Sequence, residues 1–186
     1  MILSGREVLA RRLVRNLIRE TTQRQPCGVD LSLRAVYQWQ DGATLGFDNL
    51  HRRSGKPREL PFKPGTQTFE LPPGTYLVDF NETVRVPRDC MASIFPRSSL
   101  WRSGVTVSAG VVDADYEGAM GALLQVGNPH GIQLMRDARL AQIVFQQMAE
   151  EVEGYAGVYQ ASTSSVGRDG AEGGGPVGRE SEGTEN

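Results

Sequence analysis

Arg97, Ser98 and Ser99 put a guanidinium, two hydroxyls and successive backbone amides on consecutive residues. That combination suits phosphate oxygens, through charge-assisted hydrogen bonds and an amide nest, and it is also an ordinary turn composition. A little further on, Asp113 closes the apolar pair Val111-Val112 and precedes Ala114, Asp115 and Tyr116. A partly desolvated carboxylate at the end of an apolar strand can serve as a general base. The simpler alternative is a turn, completed by Asp115 and Gly118. The two segments are close enough in sequence for neighbouring strands to bring them together.

The remaining composition narrows the chemistry. Cys27 and Cys90 stand far apart without zinc-ligand spacing, and His51 and His130 are the only imidazoles. No nucleophile elbow and no P-loop occurs, and the glycine-rich stretch 170–175 has neither a lysine nor a following apolar helix. Proton transfer therefore falls to carboxylates or hydroxyls. No apolar run reaches the roughly 18 residues of a membrane span. Of 20 basic residues only Lys56 and Lys63 are lysines, a bias that compositional drift explains as well as phosphate binding does.

These side chains need a scaffold, and the pattern predicts a mostly β one. The start carries a capping box, Ser4 with Glu7, followed by Leu9, Leu13 and Leu17 with Val14 and Ile18 beside them. The spacing predicts an amphipathic helix of about four turns packed on the domain, not a transit peptide. Residues 29–34 then alternate apolar and polar, so Asp30 and Arg34 share a strand face. Residues 39–66 are polar, with a basic cluster at Arg52, Arg53, Lys56 and Arg58 that reads as a solvated loop. From Phe69 onward short apolar runs alternate with turn signals such as Pro72-Pro73-Gly74, the signature of a sandwich or barrel. Residues 161–186 hold five acids against Arg168 and Arg179 and only two large apolar residues, Val166 and Val177. The expected organisation is a folded unit over 1–160 and a disordered Gly- and acid-rich tail over 161–186. With the tail set aside the body is close to neutral and has no aromatic-interleaved basic stripe, so no nucleic-acid partner is expected.

Four ordered motifs resemble those of the trimeric dUTP pyrophosphatase and dCTP deaminase superfamily. Residues 28–31 (GVDL) resemble the first, 97–100 (RSSL) the second, 109–118 (AGVVDADYEG) the third and 139–145 (RLAQIVF) the fourth. The opening MILS, the LPPG of 71–74 and the ETVRVP of 82–87 are similar to the deaminase branch and its archaeal dUTP-hydrolysing relatives, as are Tyr155 to Gln160.

The resemblance implies a distorted jelly-roll, β-barrel-like sandwich and a cytoplasmic homotrimer with shared active sites. It implies hydrolysis of dUTP to dUMP and pyrophosphate, with Mg²⁺ on the triphosphate and no protein ligand held directly by the metal, Asp30 meeting it at most through water. Asp113 would activate the water that attacks the α-phosphorus. Tyr116 would lie under the deoxyribose and exclude a 2′-hydroxyl. Arg97, Ser98, Ser99, Arg139 and Gln142 would bind phosphate, and Tyr155 and Tyr159 would close over the substrate. The deaminase branch needs an acid on the strand after the third motif. Residues 119–126 (AMGALLQV) contain none, and Leu123 stands where it is expected. Hydrolysis is therefore preferred over deamination of dCTP or a bifunctional enzyme, and over a non-catalytic nucleotide-binding module. Two features depart from dUTP pyrophosphatases: Val107 replaces the usual asparagine, and the glycine-rich aromatic lid sequence is missing.

Overall fold

The computed structural model describes residues 1–168. Three short helices, α1 (Gly5–Ala10), α2 (Glu20–Gln23) and α3 (Ser98–Arg102), accompany twelve strands. The strands are β1 (Val14–Arg15), β2 (Arg24–Gln25), β3 (Gly28–Trp39), β4 (Pro57–Glu59), β5 (Thr68–Leu71) and β6 (Gly74–Arg85). They continue as β7 (Cys90–Pro96), β8 (Val105–Ser108), β9 (Val111–Val112), β10 (Glu117–Val126), β11 (Ile132–Met135) and β12 (Arg139–Gln147).

The main sheet is antiparallel, with order β8-β10-β6-β3-β12-β7-β9. Its long strand β3 serves two neighbours in succession: Val29–Ser32 pair with β12, and Leu33–Tyr37 pair with β6. Handing one strand from one partner to the next curls the sheet around a common core, giving the expected barrel-like β fold. Val29, Leu31, Leu33, Val78, Phe80, Leu124, Ile143 and Phe145 fill that core. Alternation along β3 works as anticipated, but its polar face is covered too: Asp30 and Ser32 are buried beneath the segment that carries Thr22, Gln23 and Gln25. Cys27 and Cys90 are both free thiols. No helix among the described residues is long and apolar enough to cross a membrane.

The expected four-turn N-terminal helix does not form. Its cap does, since Ser4 Oγ accepts from the Glu7 amide at 3.2 Å. The helix stops at Ala10, and Arg12 and Asn16 take left-handed backbone conformations. Val14 and Arg15 instead pair with Val84 and Thr83 on β6, which buries Leu13 and Val14. Helical periodicity is a weak prior, and here a strand pairing with a buried apolar face outweighs it. Upstream, the Leu3 amide donates to Phe145 O, so the first residues continue the β12 ladder where β3 leaves it.

The tail reading meets structure for part of its length. Residues 161–168 lie against the body: Ser162 is buried and Ser165 bonds Asp79. Residues 169–186 are outside the described residues.

Candidate functional site

A pocket of about 440 Å³ opens where β9, the following turn and β10 meet the C-terminal segment. Asp113, Tyr116, Met120, Tyr155 and Tyr159 line it together with Ser162, Ser164 and Ser165. Residues 113–116 form a turn that closes at Tyr116, not at Gly118, which lies in β10. The Tyr116 amide donates to Asp113 O at 3.2 Å, closing a turn whose third residue, Asp115, has φ 64°. Asp115 is fixed in that posture from three sides. Its amide donates to Val86 O, its carboxylate accepts from Arg88 Nε and Nη2 at 3.1 and 3.0 Å, and its carbonyl accepts from Gln160 Nε2 at 2.7 Å. The neighbouring Asp113 carboxylate is left exposed and makes no hydrogen bond among the described residues. The partial desolvation expected for it is not present in the single chain. What the turn supplies is a carboxylate held by backbone geometry alone, with its oxygens available.

Tyr116 forms the pocket floor. Its hydroxyl donates to Ala119 O at 2.7 Å and meets Ser162 Oγ at 2.8 Å, and its ring stands edge-on to Tyr155 at 5.7 Å. Burial pushes its phenol above the usual tyrosine range, so it stays a neutral donor. The Tyr155 amide donates to Ala114 O at 2.8 Å, which ties the C-terminal segment to the same turn.

The arginines form a second cluster. Asp30 Oδ2 accepts from Arg139 Nη1 at 2.9 Å and pairs with Arg97 Nε at 3.2 Å. Burial pushes the Asp30 carboxyl up, and the two guanidiniums oppose that shift. Arg97 also donates from its amide to Leu140 O, and Gln142 lies opposite Asp30 in the β3–β12 ladder. Ser98 and Ser99 are exposed at the start of α3. One buried carboxylate thus holds two half-exposed arginines where β12 begins and β7 ends.

The structure does not bring the two clusters together within one chain. Strands β7 and β9 are neighbours as expected, but they run antiparallel, with Ala92 opposite Val112. Asp113 continues past one end of that ladder while Arg97 follows the other end of β7, a separation on the order of 20 Å at ~3.3 Å per residue. Among the described residues no three His, Cys, Asp or Glu side chains converge as a metal site. Asp30 Oδ2 accepts from Arg139 and Gln25 and pairs with Arg97.

Sequence reasoning missed Ser162, Ser164, Ser165 and Met120 as pocket residues. A usable signal was present in the glycines inside β10. At Gly118 a Cβ would stand 3.0 Å from the Ser162 amide nitrogen, and at Gly121 it would overlap the Ser165 side chain. Interior strand glycines mark places where another backbone approaches closely.

A curled β fold with an acid-and-phenol pocket at one end of a ladder and an arginine pair at the other defines the class. The dCTP deaminase-like family matches residues 2–148, and the chain belongs to it. It is 39% identical over 148 residues to the probable deoxyuridine 5′-triphosphate nucleotidohydrolase of Archaeoglobus fulgidus, covering 80% of this chain and 86% of that protein. It is 40% identical over 150 residues to the protein of the same name from Methanosarcina mazei, with the same coverage. The fold is shared with a 2′-deoxycytidine 5′-triphosphate deaminase from Agrobacterium tumefaciens, with a TM-score of 0.60 and 22% identity over 78% of this chain. This chain spans 48% of that deaminase chain.

Proposed function

We propose that the protein hydrolyses dUTP to dUMP and pyrophosphate, as a cytoplasmic homotrimer whose active sites are shared between subunits. The observation that carries this reading is the free Asp113 carboxylate beside the buried Tyr116 ring in a pocket of nucleoside size, in a chain of this family. Asp113 takes a proton from water as that water attacks the α-phosphorus, and pyrophosphate leaves. The Tyr116 face packs under the deoxyribose and leaves no room for a 2′-hydroxyl. Arg97, Arg139, Ser98, Ser99 and Gln142 neutralise and orient the triphosphate, and Tyr155 and Tyr159 close over the nucleoside. Phosphoryl transfer depends on such positioning and charge neutralisation more than on covalent catalysis. Mg²⁺ belongs to the substrate in this scheme and arrives chelated by the triphosphate, which suits an ion that keeps its waters.

Lack of an acid in residues 119–126 of β10 supports hydrolysis over deamination. Leu123 cannot give or take the proton that a departing amine needs. A product assay offering dUTP, dCTP, dTTP and UTP separately, reading pyrophosphate and ammonia, tests the whole reading. Pyrophosphate is expected from dUTP and not from UTP. Asp113→Asn should lower kcat by about 10²- to 10⁴-fold, the contribution typical of a positioned general base, with the fold intact. Ammonia from dCTP would make the protein a deaminase or bifunctional enzyme, and tight nucleotide binding without turnover would make it a binding module.

A further inference from the structure

Asp79 on β6 is fully buried and plays no part in the chemistry above. Arg34 Nη2 donates to it at 2.6 Å and the Tyr37 hydroxyl at 3.3 Å, and burial with the Asp79 charge pushes the Tyr37 phenol up to about 12. Its other oxygen, Oδ1, accepts from the Ser165 amide at 2.8 Å and from the Ser165 hydroxyl. Arg34 adds a bond to Thr163 O at 3.0 Å. A buried carboxylate and the partly exposed arginine paired with it therefore both bond the stretch of chain that contributes Ser162, Ser164 and Ser165 to the pocket.

The sheet is shaped to receive that stretch. β10 carries Gly118 and Gly121 in its interior, where glycine costs backbone entropy and contributes no packing. At both positions a Cβ would collide with the C-terminal segment, at Ser162 and Ser165 respectively. The Ala119 amide donates to Ser162 O at 2.8 Å, so the segment also joins the sheet through its backbone.

We infer that Asp79 is a positioning residue for the nucleotide: through Ser165 it fixes residues 162–165 as one wall of the Asp113 pocket, so that the substrate meets a preformed site. The inference rests on the dUTP reading for its substrate and on the contacts above for the anchor. Asp79 acts before the chemical step, so its loss raises KM and spares kcat.

The test uses the full chain and the variants Asp79→Asn, Ser165→Ala and Ser165→Thr. Steady-state turnover of dUTP is read alongside amide hydrogen exchange of residues 161–168. Asp79→Asn and Ser165→Ala should raise KM roughly tenfold, the fold-change of losing one hydrogen bond to a charged group, with kcat within about twofold. Both should speed exchange at 161–168 while exchange in β3 and β12 stays unchanged, and Ser165→Thr should restore both readouts. Faster exchange with an unaltered KM would show that the segment is not part of the site, and unaltered exchange in both variants would show that Asp79 does not hold it. Wild-type chain without dUTP turnover overturns the hydrolase reading instead. The exchange result then decides the anchor by itself, since it needs no substrate.

Discussion

Glu82 is a second fully buried acid on β6, and it explains a stretch of sequence that pattern alone leaves opaque. Its carboxylate accepts from Gln23 Nε2 and Ser32 Oγ, both at 2.6 Å, and from the Ser32 amide at 2.8 Å. In this way it stitches α2 and β3 to β6. Burial raises its carboxyl pKa above the usual 4.5, and the bonds from Ser32 and Gln23 only partly oppose the shift. An acid whose folded pKa exceeds its unfolded one lets the folded state bind more protons between the two values. The stability it contributes is full below 4.5 and is lost as the pH rises through the folded pKa. Glu82→Gln removes the titration and one acceptor, at a cost of about 1–3 kcal/mol for the donor left unpaired. Urea unfolding from pH 4.5 towards neutrality should therefore show the deficit of this variant shrinking as pH rises. A deficit that widened would mean that the donors, not burial, govern Glu82. Single residues of this kind were not legible in sequence, because a glutamate inside an otherwise ordinary strand looks solvent-facing until its partners from distant segments are known.

Elements were legible where local chemistry and global packing agree. A strand over 29–34, the turn signals after Phe69 and a turn beginning at Asp113 appear as read, because each depends on residues close in sequence. Both faces of 29–33 are buried, however, and the turn closes at Tyr116, not Gly118. The N-terminal helix stops short of four turns because Leu13 and Val14 satisfy two periods at once, and β6 offered them a pairing that the sequence window does not contain. The docking of 161–168 was not readable for a related reason: the stretch has too few apolar residues to bury on its own account, and it docks through serine hydroxyls and backbone amides instead. Gly118 lets this docking be tested at the level of the strand. Alanine there regains about 0.5–1 kcal/mol of backbone entropy but forces a methyl 2.8 Å from the Tyr116 hydroxyl and 3.0 Å from Ser162, and such overpacking costs about 1–3 kcal/mol. Steric cost wins, so Gly118→Ala should lower the thermal midpoint and weaken substrate binding. Gly42→Ala is the control, since a Cβ there meets nothing within 4 Å. Equal midpoints for the two variants would mean that the segment yields without cost.

At the scale of the whole molecule, the separation of Asp113 from Arg97 carries the strongest consequence. The four motifs were readable in order, but order along the chain does not say which copy of the chain completes a site. The antiparallel β7–β9 ladder sends the carboxylate and the guanidinium to opposite ends, on the order of 20 Å apart. In the proposed homotrimer a substrate that uses both is held between two copies, and a closed ring of three supplies three such junctions. Asp113→Asn and Arg97→Ala should each abolish most turnover alone, the first by removing the base and the second by removing phosphate neutralisation. If the two inactive chains are unfolded together and refolded as an equal mixture, a site is competent when its Asp113 comes from one variant and its Arg97 from the other. With random assembly that happens at roughly a quarter of junctions, so about a quarter of wild-type turnover should return, whereas refolding either variant alone returns none. Turnover in the mixture no higher than in the separate variants would place both groups in one chain's site. It would also mean that the ladder between them rearranges on binding.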